Sequence, residues 1–371
     1  MTRAPSTDWL TWLQPRAQAL GFDAIGVAGV DLRDAEPGLA QWLAQGFHGS
    51  MQYMSRHGMK RARPAELVPG TLSVITLRMP YLPPDAGAWQ SATWRDLQQP
   101  TQGVVSWYAR GRDYHKVMRT RLQRLAQQWQ DAVGPLGYRV FTDSAPVLEV
   151  ELASRSGLGW RGKHTLMLSR EGGSMAFLGE IFVDMALPET APVSAHCGSC
   201  QACLDICPTG AIVAPYRLDA RRCIAYLTIE HPGPIAPQWR RAVGNRVYGC
   251  DDCQAVCPWN RYASASAVPD FAPRQALNPQ DLLTWWRWNE AEFLQATAGS
   301  AVRRIGHARW QRNVATAMGN ALANPATDPA WAAQARHELA QQLHHANPMV
   351  REHVVWALAQ QPEAAAPTAP T

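Results

Sequence analysis

The sequence has 371 residues, of which 46% are hydrophobic and 18% are charged, and its formal net charge is +5. A chain of this length and composition can bury the cores of two or three globular domains, which excludes a disordered or fibrous protein, and its mild basicity permits a nucleic-acid partner without requiring one. No run approaches the roughly 18 consecutive apolar residues of a membrane-spanning helix, and the first residues do not resemble a signal peptide, so we expect a cytoplasmic protein with no membrane partner.

Residues 1–192 are predicted to form an α/β domain, the first part of a chain whose overall class is mixed α+β. Helices are expected where apolar residues recur at helical spacing, and strands where β-branched and aromatic residues concentrate. The predicted helices are 9–20, 39–45, 113–133 and 147–155, and the predicted strands are 24–30, 73–81, 104–109, 138–142, 165–169 and 176–184.

Asp143 directly follows the predicted strand 138–142. Because α/β domains place ligand-binding residues at the carboxyl ends of their strands, this aspartate is a candidate functional residue. The alternative is that Asp143 caps the next helix, with Pro146 in its first turn. The glycines of the loop 157–164 would let backbone approach a ligand closely, but the loop matches neither nucleotide-binding fingerprint, so its signal is weak.

All eight cysteines of the chain lie between positions 197 and 257. They form a C-x2-C-x2-C-x3-C-P run and a later C-x2-C-x3-C-P run, with one cysteine between the runs. In ferredoxin-type domains a run of this kind directs three thiolates at one cluster, and its fourth cysteine ligates the other cluster. The expected ligands of two [4Fe-4S] clusters are Cys197, Cys200, Cys203 and Cys257 for the first, and Cys207, Cys223, Cys250 and Cys253 for the second.

In this scheme Cys223 replaces the cysteine that is missing at Val247, where a complete second run would begin. Two zinc sites with four cysteines each are the main alternative, since C-x2-C pairs also suit tetrahedral zinc. The triple C-x2-C-x2-C spacing and the two Cys-Pro endings favour iron–sulfur clusters. Disulfides do not fit this spacing in an intracellular protein.

The cluster domain is predicted at 193–262 and a helical domain at 263–360. Residues 310–320 and 350–360 align at every apolar position with a period of 40, and an amphipathic helix at 331–343 lies between them. Paired helices at this period are typical of HEAT-type repeats. The remaining residues, 361–371, are rich in Ala and Pro and are predicted to be disordered.

Two groups of arginines are candidate RNA contacts. Arg303, Arg304 and Arg309 lead into the helical repeat and could present a basic helix face to a phosphate backbone. Arg221 and Arg222 lie between the cysteine runs, where the alternative is an ordinary solvated face.

The motifs taken together resemble the epoxyqueuosine reductase family, and the resemblance spans nearly the whole chain. It rests on Asp143-Ser-Ala-Pro, Gly159-Trp-Arg-Gly-Lys-His164, the eight cysteines, Arg221-Arg-Cys-Ile-Ala-Tyr, Tyr248-Gly-Cys-Asp-Asp-Cys253, Cys257-Pro-Trp-Asn-Arg-Tyr262 and Arg303-Arg-Ile-Gly-His307. The cysteine runs alone also fit many ferredoxins, but the full combination of these motifs does not.

The resemblance implies an oxidoreductase that reduces epoxyqueuosine to queuosine at the wobble position of tRNA anticodons, the final step of queuosine biosynthesis. It implies cob(I)alamin supplied with electrons by two [4Fe-4S] clusters, and an N-terminal cobalamin-binding domain related to that of reductive dehalogenases. The expected partners are a tRNA anticodon stem-loop and an external electron donor, and the expected state is a monomer.

The resemblance also implies roles for individual residues. Asp143 matches the proton donor, and we expect poor solvation to raise its pKa and keep it protonated. Ala225 is a departure, since the family is expected to carry serine near the corrin. Positions expected to face cobalamin are Arg56, Asp143, Gly162, Lys163, His164, Asp251 and Asp252.

Two rival functions remain open at this stage. One is a corrinoid iron–sulfur reductase of a small molecule, which would not need a helical repeat arm. The other is an electron carrier or a zinc-stabilised RNA-binding module, which would not need a large α/β domain beside the cysteines.

Overall fold

The computed structural model describes residues 8–362. Helices and strands alternate through the N-terminal part, and helices predominate after residue 281. Within the described range the α-helices are α1 (Trp9–Ala19), α2 (Glu36–Ala44), α3 (Tyr53–Arg56), α4 (Pro64–Leu67), α5 (Trp89–Gln98), α6 (Tyr114–Val133), α7 (Glu149–Arg155), α8 (Ala202–Asp205), α9 (Pro237–Val243), α10 (Asp252–Ala255), α11 (Leu282–Trp286), α12 (Glu290–Ala296), α13 (Gly306–Ala323), α14 (Pro329–Ala340) and α15 (Pro348–Leu358).

The strands of the same range are short apart from two that form the centre of the main sheet. They are β1 (Ala24–Ala28), β2 (Ser73–Pro80), β3 (Gln102–Val105), β4 (Tyr138–Phe141), β5 (Trp160–Arg161), β6 (Met167–Leu168), β7 (Ala176–Val183), β8 (Ile212–Ala214), β9 (Arg217–Leu218), β10 (Arg246–Tyr248) and β11 (Gln280–Asp281). None of the helices in residues 8–362 is long and apolar enough to cross a membrane.

The N-terminal part is built on a four-stranded sheet in the order β1-β2-β7-β4, and each neighbouring pair is antiparallel. Side chains alternate between the two faces of such a sheet. One face packs with α1 and α6 through Ile75, Leu77 and Ile181, and α7 contacts the sheet with its own separate apolar cluster. The predicted α/β class is therefore corrected to α+β for this part, because α/β domains are built on parallel strands.

Most predicted elements are confirmed with shifted ends. The helix predicted at 113–133 is α6, and the helix predicted at 9–20 ends before Gly21, whose φ of +87° stops it. The strand predicted at 104–109 was too long, since β3 ends at Val105 and a 3-10 turn follows. Of the tail predicted at 361–371, residues 363–371 lie outside the described range.

A small second sheet connects all three predicted domains. β3 from the N-terminal part runs parallel to β10 of the cysteine region and antiparallel to β11 of the C-terminal part. Ala255, within the second cysteine run, and Phe271, which follows that run, also join the N-terminal core. The boundaries at 192 and 262 thus fall between segments that share sheets and core, and they remain a prediction.

α13 is the central helix of the C-terminal part. It contacts α11, α14, α15 and strand β10, and its Trp310 is fully buried. Both segments of the predicted repeat are helical, as α13 and α15, and α14 lies between them. The helices of the repeat are confirmed, while a HEAT-like arrangement stays a prediction.

Polar side chains of α13 fasten the cysteine region to this helix. The Arg312 guanidinium, which is fully buried, donates to the carbonyl oxygens of Leu227, His231 and Gly233 at 2.7, 2.8 and 2.6 Å. Asn313 donates to the carbonyl oxygens of Thr228 and Val247, both at 2.8 Å. Buried carbonyls need such donors, so α13 supplies the hydrogen bonds that the π-helical turn at 226–230 leaves open.

We expect Arg312→Met to lower the free energy of unfolding by about 3 kcal/mol, because it leaves one buried and two partly buried carbonyls without this donor. Urea unfolding of the purified protein under anaerobic conditions measures the change. Arg336→Met is the matched control, since Arg336 also donates to two carbonyls but is only half-buried near the end of the described chain. Equal losses in the two variants would contradict the proposed importance of the buried site.

Candidate active site

A cavity of ≈ 400 Å³ lies between the main sheet and the cysteine region. The sheet side contributes Tyr114, Asp143 and Phe177, and the cysteine region contributes Ile224 and Asp251. A second cavity of ≈ 740 Å³ adjoins it, and the two share four lining residues, Glu149, Val150, Thr165 and Leu218. Together they form a large, mainly apolar space with a few carboxylates in its walls, which is the usual character of a cofactor site.

The cysteines fall into two groups of four around two spaces. One group lines one side of the main cavity and the other lines a separate cavity of ≈ 50 Å³. The two runs exchange their last cysteines, Cys207 and Cys257, so each group draws on both runs. The groups are Cys207, Cys223, Cys250 and Cys253 at the main cavity, and Cys197, Cys200, Cys203 and Cys257 at the small one.

This grouping is the one that two four-iron clusters require. Four thiolates around a cubane are spread over an inorganic core, whereas a single ion draws its ligands to about 2.3 Å from one point. No group of three or more His, Cys, Asp or Glu in residues 8–362 is placed to hold a single metal ion. The four-cysteine cavities fit the larger core, and Cys223 lies with the three other cysteines of its expected set.

The loop 162–164 connects the main sheet to the small cavity. Lys163 Nζ donates to the carbonyl oxygens of Gly198 and Cys200 at 2.7 and 2.8 Å, which holds the first cysteine loop in place. Gly162 is required for close packing, since a Cβ there would lie 2.7 Å from the His164 ring. Lys163 therefore supports the cysteine loop, and it is not among the residues that line the main cavity.

His164 is buried and lines both the main and the small cavity. Its Nδ1 accepts the Leu166 N–H at 3.1 Å, and burial lowers the pKa of the imidazole to about 4. The ring is therefore neutral with its proton on Nε2, and this N–H has no partner within the described chain. An unpaired buried donor between two groups of cysteines fits an electron-rich cofactor nearby.

Asp143 is held at the cavity wall in a strained conformation, with φ of +42°. Its carboxylate accepts a hydrogen bond from the Tyr114 hydroxyl and lies 3.0 Å from His115 Nε2. The side chain is 52% exposed. Helix α7 begins only at Glu149, with Leu148 at the capping position, so Asp143 is not a helix cap. Of the two interpretations, functional residue or helix cap, Asp143 is therefore kept as a candidate functional residue.

With its side chain half exposed, Asp143 has a lowered pKa, whereas a raised pKa was expected for a poorly solvated carboxyl. Burial tends to raise the pKa of Asp143, but hydrogen bonds from His115 and Tyr114 outweigh it and lower the pKa below its ordinary value. Burial tends to lower the pKa of His115, but hydrogen bonds with Asp113 and Asp143 outweigh it and raise the pKa. The shared proton therefore resides on His115, which donates to a carboxylate on each side, while Arg304, 3.0 Å from His115 Nε2, opposes that charge.

Two further carboxyl groups lie behind Asp143. Glu149 accepts the backbone N–H of Asp143. Glu180 is fully buried in the centre of β7, opposite Thr76 and Phe141, and interacts with Glu149. Apart from that carboxyl group, neither Glu180 oxygen has a hydrogen-bond partner in residues 8–362. Burial, with the nearby Asp143 charge, raises the pKa of Glu149 to about 8, and burial also raises the pKa of Glu180 well above its ordinary value.

Sequence analysis missed Tyr114, His115, Glu149 and Glu180. Glu180 had a usable signal, because a carboxylate in the apolar strand Ala176–Val183 needs an explanation. Glu149 in the first turn of α7 reads as an ordinary favourable charge at a helix start. Tyr114 and His115 open α6 and gave no signal, since their contact with Asp143 depends on the tertiary fold.

The other residues expected at the cofactor site are placed unevenly. Asp251 and Asp252 line the main cavity, where Asp251 accepts the Trp107 N–H at 2.9 Å and Asp252 pairs with Arg246 at 2.5 Å. Arg56 is exposed and does not line that cavity. Ala225 does line it.

The arginines expected to bind RNA also differ from one another. Arg303 and Arg304 are exposed, and Arg304 pairs with Asp113 at 2.6 Å. Arg309 is half-buried and donates to the Ile229 and Ile305 carbonyls, so it mainly supports the fold. Arg221 is about half exposed and pairs with Asp219, and Arg222 lies over the Trp239 ring.

In comparisons with known proteins, two family models match segments that contribute residues to this site. The family model described as 4Fe-4S double cluster binding domain matches residues 196–260, and the model described as Epoxyqueuosine reductase QueG, DUF1730 matches residues 61–144. An epoxyqueuosine reductase from Alicycliphilus denitrificans is 62% identical over 349 residues, 94% of this chain and 97% of that protein.

Two solved structures show the same fold. An epoxyqueuosine reductase from Bacillus subtilis, in which the loop of a catalytic aspartate is swung out of the active site, is 27% identical with a TM-score of 0.82, covering 94% of this chain and 89% of that chain. An epoxyqueuosine reductase solved with an epoxyqueuosine-modified tRNA-Tyr stem loop is 24% identical with a TM-score of 0.79, covering 94% and 98%.

We expect the unfolding free energy to fall as pH rises from about 5 to about 8, because carboxyls with raised pKa values bind more protons in the folded than in the unfolded state. One such proton contributes at most about 1.4 kcal/mol per pH unit inside this window. Asp143, His115, Tyr114 and Arg61 are the other charged or titratable groups that act on Glu149.

Glu180→Gln should flatten this slope, because a neutral amide lets Glu149 ionise at lower pH. Urea unfolding across a pH series measures the slope, and Glu66→Gln, at an exposed glutamate, is the control. An unchanged slope in Glu180→Gln would show that the pair does not hold the extra proton.

Proposed function

Because the chain belongs to the epoxyqueuosine reductase family, we propose that it reduces epoxyqueuosine to queuosine at the wobble position of tRNA anticodons. The observation that carries this conclusion is a single cavity that has four cysteines in one wall and Asp143, with its hydrogen-bonded histidine, in another. The first wall suits electron delivery and the second suits proton delivery. A small-molecule reductase is not favoured, since the 62% identical relative is an epoxyqueuosine reductase.

Epoxyqueuosine reductases use cobalamin and two [4Fe-4S] clusters, and the residues present fit these groups. The two groups of four cysteines would hold the clusters. The apolar walls of the two adjoining cavities would hold the corrin, with Asp251 and His164 as polar groups facing it. Bound cobalamin supplies the strong reductant for the epoxide.

The protein's own residues manage the protons. Removing the epoxide oxygen as water consumes two electrons and two protons. Asp143 and His115 form one unit that shares a proton, and in the half-exposed site the proton prefers His115. A substrate that covers Asp143 removes its solvent, which raises the proton affinity of a carboxylate. We therefore assign Asp143 as the proton donor, with His115 recharging it across their 3.0 Å contact.

Backbone and side-chain contacts keep Asp143 in position. Tyr114 and His115 bind its carboxylate, and Glu149 accepts its N–H, which stabilises the strained φ of +42°. The catalytic aspartate of the Bacillus subtilis relative also lies on a loop, and one that leaves the active site. Three contacts on Asp143 are what a residue on such a loop needs in order to act reproducibly.

Asp143→Asn should keep the cluster and cobalamin content but lower the single-turnover rate of epoxyqueuosine reduction by about 10²–10⁴-fold, because an amide cannot donate this proton. The measurement is a rapid-quench assay with pre-reduced enzyme. Asp131→Asn, at an exposed position of α6, is the control and should react like the parent protein. A near-normal rate in Asp143→Asn would remove this residue from the role.

We propose that the exposed arginines before α13 bind the tRNA backbone. Arg303 and Arg304 lie in the turn Ala301–Ile305, and Arg304 connects to the catalytic unit through Asp113 and His115. RNA bound there would bring its flipped-out base toward Asp143. Arg222 and Arg309 are weaker candidates because both are half-buried, and Arg221 pairs with Asp219 and not with the group around Asp143.

Replacing Arg303 and Arg304 with Ala should weaken binding of the anticodon stem-loop and reduce its salt dependence by about one to two phosphate contacts. Fluorescence anisotropy over a range of salt concentrations measures both. The control replaces Arg119 and Arg124, which are exposed on α6. Unchanged affinity in the first variant, or an equal loss in the control, would exclude a specific contact.

We further propose that the protein acts as a cytoplasmic monomer, with α13 to α15 as a HEAT-like support. All eight cysteines and the Asp143 group come from one chain, so the site needs no second copy. A tRNA substrate supports the cytoplasm, and buried hydrogen bonds from α13 to the cysteine region support the role of these helices.

A further inference from the structure

The small cysteine cavity reaches the protein surface at one side. Cys200 is exposed, whereas Cys203 and Cys257 of the same group are buried. The other group lines the main cavity beside the catalytic residues. If clusters occupy both groups, as the proposed function requires, the Cys200 side is where an electron from outside can first reach a cluster.

Exposed apolar side chains surround this side. Tyr216 and Tyr262 are 40% and 45% exposed, and Val193 is 45% exposed. Tyr216 N–H donates to the carbonyl of Lys163, whose ammonium binds the Cys200 carbonyl. The Tyr262 ring lies 6.2 Å from the Trp259 ring, two residues after Cys257. The apolar groups are thus fixed to the cysteine loops themselves.

Three arginines lie among these groups. Arg161 donates to the Tyr216 carbonyl at 3.0 Å, Arg170 lies 3.2 Å from His196 Nε2, and Arg261 stacks on Tyr262 at 4.6 Å. All three are exposed, and none forms an ion pair within residues 8–362. Asp34 and Glu151 line the cleft beside Arg161, but both pair with Arg155. Glu171 and Asp205 are exposed nearby in sequence, so the three arginines outnumber the carboxylates of this side that have no ion pair in residues 8–362.

These groups form one continuous surface. Arg161, Val193 and Tyr216 line the same shallow cleft, together with Trp160. The Trp160 ring contacts His196, which receives the Trp259 indole N–H on its carbonyl at 3.2 Å. We call the docking face the surface made by Arg161, Arg170, Val193, Tyr216, Arg261 and Tyr262.

We propose that the docking face binds a small acidic protein that carries single electrons, and that this is where electrons enter the enzyme. Short-lived electron-transfer complexes bury little area and depend on complementary charge around an apolar centre. The docking face has this composition at the exposed side of a cluster. RNA is less suited, because none of the six residues lines the Asp143 cavity that an RNA base must reach.

Because the carrier transfers one electron at a time, it must bind the enzyme twice for each epoxide that is reduced. A flavin hydroquinone in the carrier loses one electron and becomes a semiquinone, while a [4Fe-4S] cluster goes from the 2+ to the 1+ state. Two such encounters supply the two electrons that, with two protons, convert the epoxide to an alkene and water. The proposal rests on the proposed function, and names the class of its electron donor.

The test uses the cluster-loaded protein and photoreduced bacterial flavodoxin as the acidic carrier. Changing Arg161, Arg170 and Arg261 to Glu should lower the second-order rate of cluster reduction by about tenfold or more at low salt, since steering charges act on association rates. Stopped-flow absorbance measures this rate. The dissociation constant from an NMR titration of labelled flavodoxin should rise in parallel.

The control changes Arg119, Arg124 and Arg139 to Glu, an equal change of charge on exposed positions of α6 and β4. It should leave the flavodoxin rate within about twofold of the parent. Reduced methyl viologen, a small cation, should reduce all three proteins and support epoxyqueuosine turnover without the docking face.

Equal slowing in both variants would show a net-charge effect and overturn the proposal, as would no slowing in either. Loss of tRNA affinity with an intact flavodoxin rate would make the face an RNA surface instead. If the unmodified protein fails to reduce epoxyqueuosine with viologen, the proposed function fails, while the flavodoxin titration still decides the docking face.

Discussion

The exchange of Cys207 and Cys257 between the two cysteine runs is the constraint on which the rest of the structure depends. Each group of four needs a residue from the other run, so neither group can form until both runs are folded together. The 42 positions between Cys207 and Cys250, with the π-helical turn at 226–230, must therefore hold a fixed shape. Buried donors from α13 satisfy that turn, which explains why a helical part follows the cysteine region and packs against it.

The chemistry of the cavity depends on several carboxyl groups that lie close together. Asp143, Glu149 and Glu180 lie close together, and no lysine or arginine binds the Glu149–Glu180 pair directly in residues 8–362. Carboxyls in that position cannot all ionise, so the site retains protons at neutral pH. His115 and Tyr114 favour ionisation at Asp143, and burial favours the neutral form at Glu180. The proton that these carboxyls retain therefore lies at the Glu149–Glu180 pair, and the proton nearest to Asp143 lies on His115.

The parts that sequence could predict are those with a local signature. Cysteine spacing predicts the grouping of all eight residues, and counting assigns Cys223 because one position is missing at Val247. Hydrophobic periodicity predicts α6 and α13. The antiparallel order of the main sheet has no local signature, and neither does the contact of His115 with Asp143, which joins the start of α6 to the end of β4. The two hydrogen bonds that lower the pKa of Asp143 in the half-exposed site could not be predicted for the same reason, since they come from residues distant in sequence.

We propose that two separate positively charged surfaces bind the tRNA and the electron carrier. Arg303 and Arg304 lie on the turn before α13 and connect through Asp113 to the catalytic unit. Arg161, Arg170 and Arg261 surround the exposed cysteine of the other cavity. An anticodon stem-loop and an acidic protein repel one another, so a shared surface would make tRNA binding inhibit reduction. Separate surfaces let electrons arrive while the substrate stays bound, and this matters because a one-electron carrier must dock twice for each epoxide reduced.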